Sequence, residues 1–67
     1  MNVKLTKREQ EIYAYLLEGK SNAQIAKETS VSINTVKTHV AHILKKSGFK
    51  NRVQIISNQL KSYKYEN

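Results

Sequence analysis

The stretch SNAQIAKETSVSINTVKTHVAHILKKSG, residues 21–48, decides the fold. It holds two segments with apolar residues at helical spacing, and each begins at a serine, Ser21 or Ser32, a residue type favoured at helix N-caps. The link between the segments, residues 29–32, is short and holds one apolar residue, Val31. Two helices joined by so short a link are typical of a helix-turn-helix, so we predict that motif here.

The residues at the crossing of these two helices have sizes that fit the motif. Ala26 is small where the second helix must pass close to the first, Ser30 is small at the turn, and Val36 fills the gap between the helices. The second helix is predicted to end at Gly48, because glycine readily adopts the left-handed conformation of a helix end. The apolar stripe of this helix, at i, i+4, i+7 and i+8, consists of Val36, Val40, Ile43 and Leu44.

The flanking sequence predicts one further helix on each side. TKRE, residues 6–9, is a capping box, in which a hydroxyl and a glutamate each accept a bond from a backbone amide. SNAQ, residues 21–24, and NRVQ, residues 51–54, repeat the arrangement with glutamine. Because proline and hairpin signals are absent from the sequence, the predicted fold class is all-α. The prediction is a single domain, residues 1–67, with helices at about 7–18, 22–29, 33–47 and 52–61, a core at 5–60 and a frayed tail at 61–67.

Charge is the strongest signal in the composition. The chain has 12 Lys and Arg against 5 acidic residues, a net charge of +7. Residues 1–31 hold five bases and four acids, whereas residues 32–67 hold seven bases and one acid. A basic half on a small domain favours nucleic acid as the partner, the alternative being a basic surface that maintains solubility.

The composition also argues against other classes of site. Cysteine and aspartate are absent, so thiolate zinc sites and disulfides cannot form, and no grouping typical of an enzyme is found. His39 and His42, spaced i, i+3, can share a metal only with a glutamate as third ligand, so we expect no metal and no cofactor. His39 is expected to pack near the core beside the turn, or to bond to the backbone or to a phosphate. The sequence holds no apolar run of membrane-spanning length and no apolar signal segment, which favours a cytoplasmic location.

Residues spread over all four predicted helices follow one family pattern. They are Leu5-Thr6, Arg8-Glu9, Gly19, Ser21-Asn22, Ile25-Ala26, Val31-Ser32, Thr35-Val36-Lys37, His39-Val40, Lys46, Gly48 and Asn51-Arg52. Through them the chain, from Leu5 to about Leu60, resembles the DNA-binding domain of LuxR-type (GerE-like) bacterial transcription regulators. Three positions depart from the pattern: Thr29 and Ser47 replace usual leucines, and Ala41 stands where many relatives have a longer polar or basic side chain.

The resemblance implies a transcription regulator that binds specific sequences of double-stranded DNA, with the third helix in the major groove. It implies a homodimer on an operator of two half-sites, paired through Val53, Ile56 and Leu60 of the fourth helix. RNA polymerase or a larger regulator is a further expected partner, and the nucleoid the expected location. The family's domain usually follows a receiver or sensing domain, so the chain is either a standalone regulator, as Met1 favours, or a fragment of a longer one.

Once the third helix is placed in the groove, its exposed edge supplies the expected base contacts, Asn34, Lys37, Thr38 and Ala41. Lys37 can donate to guanine or to a phosphate, and Thr38 can contact a thymine methyl or a base-edge acceptor; both choices stay open. The free amides at the start of the second helix suit phosphate, although plain N-capping explains the same residues. Expected phosphate contacts are Ser21, Asn22, Thr35, Lys20, Lys45, Lys46 and Lys50.

The same residues leave a second function open. The chain can instead be a protein-interaction module that forms a heterodimer through its fourth helix with a larger LuxR-type regulator and modulates it. The fourth helix can also serve only to complete the core of the monomer. Glu9 and Arg52, both distant from the reading edge, are predicted to form an ion pair that fixes the first helix to the start of the fourth, the alternative being that Arg52 reaches a phosphate.

Overall fold

The fold is all-α, as predicted. A computed structural model describes the backbone of residues 4–66 and the side chains of residues 4–59. Four helices follow one another in this part of the chain: α1 (Lys7–Leu17), α2 (Asn22–Thr29), α3 (Ile33–Ser47) and α4 (Arg52–Glu66). Helix α3 packs against both α1 and α2, and α4 packs against α1. The helix-turn-helix therefore rests on a base formed by the first and last helices.

The first three helices begin where the capping pattern predicts. The Glu9 amide donates to the Thr6 hydroxyl at 3.1 Å, and the Thr6 amide donates to the Glu9 carboxylate at 2.9 Å. Ser21 and Gln24 make the same reciprocal pair at the start of α2. Ser32 caps α3 by accepting an amide of its first turn. Each cap satisfies backbone amides that the helix itself leaves unpaired.

Helix α4 begins at the predicted residue, Arg52, but one bond of its cap and the place where it ends differ from the prediction. Asn51 caps it as expected, by accepting the Gln54 amide at 3.0 Å, but Gln54 reaches back to the amide of Lys50 instead of that of Asn51. The helix continues to Glu66, whereas the sequence predicted an end near residue 61 followed by a frayed tail. Neither glycine nor proline occurs within residues 52–66, so no backbone feature stops the helix at the predicted place.

Three residues of the described backbone have a left-handed conformation, and each follows a helix. Gly19, after α1, has φ +81°, and Gly48, after α3, has φ +79°, as predicted for helix terminators. The third is Ser30, the C-cap of α2, with φ +59°. The sequence predicted a small residue at this turn; the structure adds that its backbone conformation is one that costs little only for glycine.

The core lies between the helices, and each of the four contributes to it. Its buried apolar residues are Ile12, Leu16, Ile25, Ala26, Val36, Val40, Ile43 and Ile55. In α4 the buried residue is Ile55, 1% exposed, whereas Val53 is 65% exposed and Ile56 is half-buried. Leu60, the third residue of the predicted dimer surface, lies outside the described side chains. Helix α4 therefore completes the core and also leaves apolar surface free.

Thr29 and Ser47, noted above as departures from the pattern that the chain resembles, have hydroxyls that are satisfied inside the helices. The Thr29 hydroxyl, buried, donates to the Ile25 carbonyl at 2.7 Å. The Ser47 hydroxyl, half-buried, donates to the Ile43 carbonyl at 2.7 Å. These bonds offset the desolvation of the hydroxyls, although neither side chain restores the apolar volume of a leucine.

Among residues 4–66, none of the helices has the length and apolar character needed to cross a bilayer.

Candidate nucleic-acid interface

The exposed edge of α3 consists of the four residues that the sequence singled out, Asn34, Lys37, Thr38 and Ala41. All four are exposed, whereas Val36, Val40 and Ile43 on the other side of the helix are buried. The 3.6-residue period produces this division, because residues three and four apart share one side of a helix. The edge stands on a helix that is fixed to the core along its opposite face.

The polar atoms of this edge are not equally free. The Thr38 hydroxyl donates to the Asn34 carbonyl one turn earlier, with 3.1 Å between the oxygens. Lys37 makes no ion pair with an acidic side chain of residues 4–59, so its ammonium remains available. Ala41 adds a methyl group and no polar atom. The edge therefore presents one free cation beside short side chains.

Arg52 organises the start of α2, a role that the sequence did not predict. Its guanidinium donates from Nη1 to the Asn22 side-chain oxygen at 2.6 Å and from Nη2 to the Lys20 carbonyl. The predicted ion pair between Arg52 and Glu9 is wrong, since α4 directs this arginine toward the link between α1 and α2. The partners are 30 and 32 residues apart, so local spacing carried no signal for them.

Glu9 instead joins α1 to the end of α3. Its side chain is 4% exposed, and one carboxylate oxygen accepts from the Lys46 ammonium at 2.7 Å. His42 Nδ1 lies 3.9 Å from the other oxygen. The hydrogen bond from Lys46, followed by the bond from the Thr6 amide, holds the pKa of Glu9 below its usual value. Lys46, expected at a phosphate, is thus paired within the domain.

The other residues expected at phosphates keep exposed or half-buried positions. Ser21 is committed to capping, and the Thr35 hydroxyl accepts from the Ser32 hydroxyl at 3.0 Å. The Lys20 ammonium lies 3.8 Å from the Glu18 carboxylate. Lys45 and Lys50 are exposed. Capping and phosphate binding are compatible for Ser21, because a capping oxygen leaves the hydroxyl hydrogen free.

The two histidines were weighed in the sequence as possible metal ligands. Within the described part of the chain, no group of three or more His, Cys, Asp or Glu side chains could hold a metal ion. His42 is 58% exposed and lies near Glu9. His39 is half-buried, and its Nδ1 has no hydrogen-bond partner among the described atoms.

The sequence pattern of GerE, described as "Bacterial regulatory proteins, luxR family", matches residues 3–58. The chain belongs to this family. The match confirms the family that the motifs indicated, and it covers α1, α2, α3 and the first half of α4.

Regulators from several bacteria share this LuxR-family domain. The transcriptional regulatory protein LiaR of Bacillus subtilis is 48% identical over 50 residues, 75% of the chain and 24% of the relative. The CsgBAC operon transcriptional regulatory protein of Escherichia coli is 49% identical over 53 residues, 79% of the chain and 24% of the relative. The response regulator protein VraR of Staphylococcus aureus is 44% identical over 52 residues, 78% of the chain and 25% of the relative. The chain spans about a quarter of the length of the curated relatives it matches.

Proposed function

We propose that this LuxR-family domain binds double-stranded DNA sequence-specifically, with α3 in the major groove, and regulates transcription in the bacterial cytoplasm at the nucleoid. The observation that supports this most strongly is the exposed edge of α3, residues 34–41, which projects from a helix whose other face is buried in the core. A helix of this width fits the major groove of B-DNA. The net charge of +7 favours association with phosphate.

Phosphate contacts position this edge in the proposed complex. The start of α2 offers Ser21 and Asn22 beside amides at the positive end of the helix dipole, and Arg52 holds Asn22 in place. Lys20, Thr35, Lys45 and Lys50 complete the proposed set. The proposal does not rely on Lys46, because a phosphate would have to compete with Glu9 for its ammonium.

The proposed complex is a homodimer paired through α4. Val53, 65% exposed, and Ile56, half-buried, lie three residues apart on this helix, and Leu60 follows four residues later in the sequence. Val53→Glu should give a monomer in sedimentation without disturbing the core, and Asn58→Glu, an exposed position on another side of the helix, serves as the matched control. An unchanged dimer in the Val53 variant would exclude this surface.

Selection of bound DNA from a random pool tests the function as a whole. Lys37→Ala should weaken binding to the selected site by about 1–3 kcal/mol and relax the preference at one base pair, if the ammonium contacts a base. Lys27→Ala removes the same charge from an exposed position of α2 outside the proposed contacts and should have little effect. Equal effects of the two substitutions would contradict the assignment of α3 as the reading helix.

The second candidate function, an interaction module for a larger LuxR-type regulator, is favoured by the exposed apolar surface of α4. Salt dependence separates the two functions. A DNA-binding dimer with about 6–10 phosphate contacts should lose roughly 10³–10⁵ in affinity between 50 and 200 mM salt. Absence of DNA binding, together with a heterodimer that Val53→Glu disrupts, would replace the first function by the second.

A further inference from the structure

The inference concerns which base the edge of α3 selects, and it rests on the proposed function. Thr38 has two groups that a base can meet, a hydroxyl and a γ-methyl. The hydroxyl hydrogen is already donated to the Asn34 carbonyl, at 3.1 Å. Thr38 therefore cannot donate to a purine N7 or to a carbonyl oxygen of a base without breaking a bond inside the helix. The methyl group has no competing partner of this kind.

Ala41 adds a second methyl group on the same side of the helix. It is exposed and lies three residues after Thr38, a spacing that brings the two Cβ atoms to about 5–6 Å from each other. Lys37 and Lys45 lie one turn before and one turn after Ala41, so the two methyl groups form a small apolar patch between two exposed cations. A longer side chain at position 41 would cover this patch.

The thymine C5-methyl is the one apolar group that unmodified base pairs present in the major groove. We infer that Thr38 and Ala41 select thymine, through contact of their methyl groups with thymine methyls on neighbouring base pairs. Lys37, the free cation of the edge, is left to supply the contact to guanine or to a phosphate. The half-site is then expected to contain thymine next to the base pair that Lys37 reads.

Deoxyuridine provides the test, since it removes the C5-methyl and keeps the base pair. The DNA site that the intact chain binds is first identified by selection from a random pool. Each thymidine of that site is then replaced, one at a time, by deoxyuridine. The wild-type chain should lose about threefold to fivefold in affinity at one or two positions, the amount expected for one methyl contact.

Protein variants assign each sensitive position to its side chain. Thr38→Ser removes the methyl and keeps the hydroxyl, so deoxyuridine at the Thr38 position should cause no further loss. Thr38→Val keeps a methyl and should remain sensitive. Ala41→Gly should abolish sensitivity at the neighbouring position; comparing thymine with uracil within this variant cancels the general effect of glycine on the helix.

The inference is overturned if the wild-type chain binds its site specifically and yet no thymine can be distinguished from uracil. It is also overturned if the full loss persists in Thr38→Ser and in Ala41→Gly. If the wild-type chain binds no sequence above its non-specific affinity, the proposed function itself fails and the inference fails with it.

Discussion

The turn between α2 and α3 contains Ser30 in a left-handed conformation, with φ +59°. Ser30→Gly should stabilise the domain. A residue with a Cβ atom pays about 1–2 kcal/mol to adopt this conformation, whereas glycine adopts it without that strain. Glycine loses about 0.5–1 kcal/mol more than other residues when the chain becomes ordered. The expected net gain is therefore about 0.5–1 kcal/mol.

For a domain of 67 residues this gain should raise the thermal midpoint by about 2–8 °C. The side chain of Ser30 is exposed, so its removal creates no cavity. Thermal unfolding followed by circular dichroism measures the midpoint, and urea unfolding gives the free energy independently. Ser30→Ala is the matched control: it removes the hydroxyl but keeps the Cβ atom, and should change stability by less than about 0.5 kcal/mol.

The opposite change can be made at the end of α3. Gly48→Ala introduces a Cβ atom at φ +79° and should destabilise the domain by about 1 kcal/mol. A Cβ at this position meets no atom within 4 Å, so the loss would come from the backbone conformation and not from a clash. The reasoning is refuted if Ser30→Gly is no more stable than Ser30→Ala, because backbone strain would then not limit stability at this turn.

Three further predictions concern the contacts that join the helices. Ile55→Ala should cost about 2–5 kcal/mol in urea unfolding, because it removes the buried side chain that α4 places in the core, and a loss below 1 kcal/mol would show that α4 is not anchored there. Arg52→Gln should cost about 1–3 kcal/mol by removing the donor to Asn22, and an unchanged NMR signal of the Asn22 side-chain amide would contradict that contact. Because the pKa of Glu9 is lower in the folded state, its contribution to stability is present above the usual carboxylate pKa and is lost as pH falls through the folded value. Glu9→Gln should therefore flatten the dependence of the unfolding free energy on pH in this range. An unaltered dependence would show that the carboxylate is not stabilised by folding.

Features that depend on neighbours in the sequence could be predicted. The cap of each of the first three helices joins residues three apart, as between Thr6 and Glu9, and so follows from residue type and spacing alone. The stripe from Val36 to Leu44 follows from the helical period. The two glycines mark helix ends for a comparable local reason, the backbone conformation that each must adopt.

Pairs that depend on how the helices pack could not be predicted in this way. Lys46 meets Glu9 across 37 residues, and Arg52 meets Asn22 across 30. The sequence offered Glu9 and Arg52 as opposite charges on different helices, and opposite charge alone did not identify the partners. The direction in which α4 leaves the Gly48 turn decides that Arg52 reaches the start of α2.

The candidate site combines both kinds of information. Periodicity predicts that residues 34, 37, 38 and 41 are exposed, because the same period buries Val36, Val40 and Ile43. It does not predict which polar atoms remain free, since a bond within the domain can occupy them. The bond from Thr38 to the Asn34 carbonyl and the ion pair of Lys46 with Glu9 engage one hydroxyl hydrogen and one ammonium in bonds within the domain. In the proposed complex, base selectivity at this edge is therefore expected to depend on the methyl groups of Thr38 and Ala41 as much as on its exposed polar side chains.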